Sequence, residues 1–200
     1  MTNLTYDERG MVEALQRLES NLRVGFATAC AERLFSTDIL MESISDQEIA
    51  DLRSVLNRLW RDVEGDKMSD SEVENSIAKC LVTLDALEKA PVRKSAERTE
   101  DAVATICYAL RCRQSGDSNE AMWASRRVYE ALDNYVISQE NIDTNQPDGE
   151  QQVLSNPAIQ AELRRQQLDL ADLLKNKSEA VQLLRNRAVS DSRSMFGQGN

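Results

Sequence analysis

The sequence predicts an all-α protein, a compact antiparallel bundle of about seven to eight helices. Three observations lead there. Apolar residues recur at three-and-four spacing along almost the whole chain, which lines one face of a helical turn. No segment has the two-residue alternation of a half-buried strand. The composition is 41% hydrophobic and 29% charged but only 4% aromatic, with seven glycines and three prolines in 200 residues, so the chain is globular and poor in helix breakers.

The first helix is predicted over about Tyr6 to Glu19 and presents Met11, Leu15 and Leu18. A second, about Leu22 to Leu34, holds the run "GFATACAERLF" and presents Leu22, Phe26, Ala29, Cys30 and Leu34. Gly25, Ala27, Ala29 and Ala31 make it thin, so neighbours can approach closely, and it reads as the central packing helix. Ile49, Leu52, Leu56, Leu59 and Val63 form the next seam, entered through "SDQE", where Ser45 caps and Glu48 closes a capping box. Val73, Ile77, Cys80, Leu84 and Leu87 form another, opened by Ser69 or Asp70 and stopped before Pro91. Val103, Ile106, Cys107 and Leu110 follow and end before Gly116. A helix capped by Ser118 or Asn119 then carries Ser125, Val128, Leu132, Tyr135 and Val136.

Residues 140–155 are polar and contain Pro147 and Gly149, which predicts one long connector. After it, Asn156 caps and Pro157 opens a last helix through Leu163, Leu170, Leu173, Leu174, Val181 and Leu184 to about Ala188. Gln166 and Lys177 interrupt its stripe, so partial burial is expected. Residues 1–188 read as a single helical domain and 189–200 as a disordered tail.

A chain of this length buries a core without metals or disulfides. No apolar run approaches the roughly 20 residues of a membrane span, and the N-terminal segment is acidic where a signal peptide has a basic flank. A cytoplasmic protein with no membrane partner is expected. Cys30, Cys80, Cys107 and Cys112 lie inside apolar helical segments, as reduced thiols would. Cys107 and Cys112 point about 140° apart on one helix, so a shared metal is not expected. The net charge is −10, and residues 38–74 hold eleven acidic against four basic residues, a local −7. A nucleic-acid partner needs a basic stripe and is not expected; a basic protein partner suits the field.

Residues spread along nearly the whole chain carry a family resemblance. "LQRLESNLRVGFATACAERLF", "SVLNRLW" and "SNPAIQAELRRQQLDLADLL" resemble the YjaG-like bacterial proteins of unknown function. The most specific pieces are "CAERL", a Cys-x-Glu-Arg pattern on a long early helix, and "NPAI", an Asn-Pro helix start. Ser36 and Thr37 stand where a proline commonly follows the first motif. The resemblance implies a compact, all-helical, cytoplasmic fold and no assigned activity.

The chain has no histidine, which removes the usual general base and the commonest transition-metal ligand. Gly65, Gly116 and Gly149 stand alone, without phosphate-loop spacing, and no cofactor is expected. Cys30 is the sharpest candidate nucleophile, with Arg33 one turn on to lower its pKa, but a cysteine in an apolar helix is far more often core. Cys30, Glu32 and Arg33 therefore read as a structural lock. Adjacent helical positions point about 100° apart, so one of Glu32 and Arg33 is expected outside the core, with Arg33 inward and paired to Glu100, Asp101 or Glu162. The paired arginines Arg126, Arg127, Arg164 and Arg165 read as solvated.

The candidate protein-binding surface is acidic: Asp46, Glu48, Asp51, Asp62, Glu64, Asp66, Asp70, Glu72 and Glu74, with Trp60 half exposed beside it as an aromatic anchor or as core. The expected function is a non-enzymatic protein-binding module, an acidic immunity-type inhibitor of a basic toxin or effector. The alternatives are a structural or adaptor domain, homodimeric through the 157–188 helix, and a thiol enzyme using Cys30.

Overall fold

Every residue from Val24 to Phe35 is buried, which places one thin helix in the middle of the molecule. The structure is a computed structural model of the chain and describes residues 3–35, 43–89, 94–175, 179–192 and 196. Among the described residues it contains nine helices and no strand: α1 Glu8–Gln16, α2 Ser20–Phe35, α3 Asp46–Val63, α4 Asp70–Glu88, α5 Lys94–Ser115, α6 Ser118–Glu140, α7 Gly149–Ser155, α8 Pro157–Lys175 and α9 Ala180–Ser192. The central helix α2 packs against α3, α5, α6, α8 and α9.

A helix that is apolar and small on all sides has no solvent face to keep. Phe26, Ala27, Ala29, Cys30 and Ala31 are each fully buried. At Gly25 an added Cβ would stand 3.2 Å from Val63 Cγ1 of α3 and 3.7 Å from Leu184 Cδ2 of α9, so the missing side chain sets how closely those two helices approach. Burial of each large side chain, such as Phe26 or Leu56, stabilises the fold by about 1.5–3 kcal/mol before entropy is counted.

The helix starts follow their capping residues. Ser45 accepts from the Glu48 amide at 3.3 Å while Glu48 Oε2 accepts from the Ser45 amide at 2.8 Å. Ser69 and Glu72 repeat the arrangement at 3.3 and 2.7 Å, which selects Ser69 over Asp70 as the cap. Asp117, rather than Ser118 or Asn119, caps α6 and accepts from the Asn119 amide at 2.9 Å. Asn156 accepts from the Ala158 amide at 2.8 Å and opens α8 at Pro157, as its sequence predicts.

The C-terminal third departs from the predicted layout in three places. The expected connector contains α7, anchored by buried Val153; at Gly149 a Cβ would stand 2.4 Å from the Asp143 carbonyl, so only glycine lets the chain double back there. The expected single helix over 157–188 is two, α8 and α9. The expected disordered tail is helical to Ser192, and Phe196 is buried edge-on against Tyr135, whose hydroxyl donates to the Phe196 carbonyl. Ser36, Thr37, Pro91 and Lys177 lie outside the described residues.

Candidate functional site

The polar residues of α8 converge on the last turn of α2. Glu162, Gln166 and Asp169 follow i, i+4, i+7 spacing, so they project from one helical face, and all three are buried. Arg33 Nη2 donates to Glu162 Oε1 at 2.9 Å and Nη1 donates to Asp169 Oδ2 at 3.1 Å, with all three side chains about 1% exposed. Gln166 Nε2 donates to Glu162 Oε1 at 2.8 Å and to the Ser125 carbonyl of α6 at 3.1 Å. From the rim, Arg165 reaches Glu162 Oε2 at 3.2 Å and Arg187 of α9 reaches Asp169 Oδ1 at 2.9 Å. Arg187 also holds Asp172 at 2.9 Å. The network therefore ties α2, α6, α8 and α9 at one point.

Arg33 is paired as its sequence position suggests, and Glu162 is its partner. Asp169 is a second partner that the sequence reading missed, and Glu100 and Asp101 are not partners. The signal for it is periodic: Gln166 interrupts an apolar stripe, and with Glu162 and Asp169 it forms a polar seam.

The expectation that Glu32 or Arg33 must leave the core is corrected. Both are buried, because helices surround α2 on every side. Glu32 Oε1 accepts from Arg53 Nη1 at 2.6 Å, and Oε2 accepts from Trp60 Nε1 at 3.0 Å.

Cys30 lies beneath this network, 3.4 Å from Arg33 Nη2. Burial pushes its thiol up to about 12, and the nearby Arg33 charge only partly offsets that. A thiol held protonated and enclosed is a poor nucleophile. All four cysteines are free and buried.

The acidic candidate residues divide by placement. Asp46, Asp51, Glu64, Asp66, Asp70, Glu72 and Glu74 are exposed and Glu48 is half-buried, on α3, α4 and the turn between them. Trp60 and Asp62 are corrections: Trp60 is 1% exposed and Asp62 is fully buried, so neither belongs to a surface. Asp62 instead accepts from Arg113 Nε at 2.9 Å and from the Met68 amide at 2.6 Å, tying the α3–α4 turn to α5. The surface field is also partly spent inside the fold. Glu64 pairs with Arg185 at 2.8 Å, and Arg58 lies 3.6 Å from Asp66 and 3.3 Å from Glu72.

Between α3 and α4 runs a cleft of about 630 Å³, walled by Leu52, Val55 and Val82 and edged by Glu48, Asp51 and Lys79. Val82 is 71% exposed and its neighbour Leu81 is 53% exposed. Three of the four arginines expected to be solvated form ion pairs: Arg126 with Glu8 at 2.6 Å and Glu130 at 2.7 Å, Arg127 with Asp101 at 3.2 Å, and Arg165 with Glu162 at 3.2 Å.

Residues 10–197 match the family model described as "Protein of unknown function (DUF416)". The chain belongs to the DUF416 family. That match covers nearly the whole chain and supports a family of unknown function, while the narrower YjaG-like label is not carried by it. The chain is also similar to the crystal structure of a DUF416 family protein from Shewanella baltica OS155, with a TM-score of 0.71 at 20% identity, over 96% of this chain and 99% of that one. At that identity the likeness shows the fold alone. No curated protein matches the chain. Among the described residues of this DUF416 protein, no helix is long and apolar enough to cross a membrane.

Proposed function

We propose that this DUF416 protein is a non-enzymatic binding module whose α3–α4 face covers a basic protein partner, as an immunity-type inhibitor covers its toxin. The observation that carries the reading is the cleft between α3 and α4. Its walls are apolar, Val82 stands exposed at its edge, and Glu48 and Asp51 border it. Asp46, Asp70 and Glu74, on the same two helices, are exposed and make no ion pair among the described residues. An apolar trough bordered by two acids and one lysine, with further unpaired acids on the same helices, fits an amphipathic segment that presents aliphatic residues on one side and lysine or arginine on the other. The enclosed, protonated Cys30 supports the same reading against a thiol enzyme.

A synthetic amphipathic Leu/Lys helical peptide, titrated into isotopically labelled protein at low salt, tests it. Saturable shifts confined to α3 and α4 that weaken as salt screens the charges are the expected result. Absence of binding at low salt, or shifts centred elsewhere, removes the reading. The inhibitor role fails separately if the basic partner proves harmless when expressed alone.

An adaptor role through a homodimer has Leu168 and Leu183 in its favour, which are 47% and 50% exposed on α8 and α9. Light scattering that finds only monomer at high concentration eliminates it.

A further inference from the structure

The two walls of the α3–α4 cleft carry opposite, uncompensated charges. From α3, Glu48 and Asp51 stand beside Leu52 and Val55; of the α4 residues that line the cleft, only Lys79 is charged. Both acids are met by neutral donors. Glu48 Oε2 accepts from the Ser45 amide and hydroxyl, which holds its carboxyl below the usual range and keeps it ionised, and Asp51 accepts from Gln47 Nε2 at 3.0 Å. Lys79 has no acid one helical turn away, because the residues three and four positions from it are Asn75, Ser76, Val82 and Thr83. Lys89, at the end of the same helix, has one and pairs with Asp85 at 2.6 Å. Among the described residues Lys79 forms no ion pair, either across the cleft with Glu48 and Asp51 or with any other group.

We infer that the segment docking in this cleft carries opposite charges on its two flanks: lysine or arginine toward α3, and a carboxylate toward α4 that meets Lys79. This rests on the reading of the α3–α4 face as a docking surface and narrows it, since Lys79 becomes the residue that selects among basic amphipathic segments. A helix that is cationic on both flanks sets one of its own charges against Lys79 whichever way round it lies. A helix with one flank of each sign matches both walls in a single direction, so Lys79 also fixes which way the bound segment runs. The pairs lie at the exposed edge of the cleft, where each is worth about a twofold change in affinity, and exchanging an attraction for a repulsion is worth about fourfold.

The test titrates two leucine-faced helical peptides into the isotopically labelled protein at physiological salt, where charges more than about 8 Å apart are largely screened. One peptide carries lysine on both flanks, the other lysine on one and glutamate on the other. The wild-type protein is expected to bind the second about fourfold more tightly, and Lys79→Glu to reverse that preference with the melting temperature retained. Lys175→Glu, which changes the net charge equally from an exposed position on α8, is expected to leave the preference as it is. A wild-type preference for the all-lysine peptide overturns the inference, as does a preference that Lys79→Glu leaves unchanged or that Lys175→Glu shifts as far. Equal affinities with shifts on α3 and α4 overturn it while the docking face stands; no binding there removes both.

Discussion

Arg33 and Asp169 lie 136 residues apart in sequence, yet Nη1 of one donates to Oδ2 of the other at 3.1 Å with both side chains about 1% exposed. With Glu162 on the other terminal nitrogen of the guanidinium, the pair fixes where α8 lies along α2. The energetic meaning is asymmetric. Assembling such a site returns little net stability, because desolvation offsets the attraction, but removing one member strands the others.

Arg33→Met is therefore expected to destabilise the protein by about 3 kcal/mol, since it leaves Glu162 and Asp169 buried with only Arg165 and Arg187 at the rim to balance them. The triple change Arg33→Met, Glu162→Gln, Asp169→Asn is expected to recover a large part of that loss. Urea unfolding of the three forms decides the matter; a single substitution costing under about 1 kcal/mol would mean that water reaches the site.

Cys30 is expected to resist modification. With its thiol pushed up to about 12 by burial, iodoacetamide at neutral pH is expected to leave it unlabelled in folded protein and to label it once urea unfolds the chain. Cys30→Ser should leave partner binding intact. Fast, selective labelling of native Cys30 would reopen the thiol-enzyme reading.

The helical build was legible because it rests on local signals: three-and-four periodicity, the Ser45–Glu48 box, and the thinness of Gly25 to Ala31. What escaped the sequence depends on surroundings. Trp60 borders an acidic stretch in the chain, which leaves anchor and core both open, and in space its indole donates to Glu32 on α2, which makes it core. Asp62 sits among surface acids, yet Arg113 on α5 draws it inward. Phe196 stands in a glycine-containing tail and is held by Tyr135, 61 residues earlier. Periodicity cannot see a partner on another helix.

Emission from Trp60 is expected to be shielded from solvent. In a Trp123→Phe variant, which leaves Trp60 as the sole tryptophan, acrylamide should quench far less than in Trp60→Phe, where Trp123, 37% exposed, remains. Equal quenching of the two variants would contradict the burial of Trp60 against Glu32.

Asp101 is expected to make stability fall as pH rises toward neutrality. Burial pushes its carboxyl up to about 7, more than Arg127 at 3.2 Å offsets. In the window between the ordinary carboxylate range, near pH 4, and about 7 the folded chain holds a proton that the unfolded chain has released. The stabilisation is thus complete below that window and is lost as pH climbs through it. Asp101→Asn should flatten this part of the stability profile. An unchanged slope in the variant would assign the pH dependence to other groups.

The α3–α4 cleft leads to the last prediction, because there the partner and the fold make separable demands. Val82 is 71% exposed, so replacing it removes little that the folded state has buried. Val82→Glu is expected to leave unfolding stability within about 0.5 kcal/mol, as for surface changes generally. A bound aliphatic face would nevertheless meet a charge in place of a methyl wall, and the affinity for a basic amphipathic segment should fall at least about tenfold, the scale of a hot-spot loss. Asp51→Lys acts through the field instead, and should slow association and flatten its salt dependence while leaving dissociation nearly unchanged. If both substitutions leave binding intact in a folded protein, the partner docks on another surface.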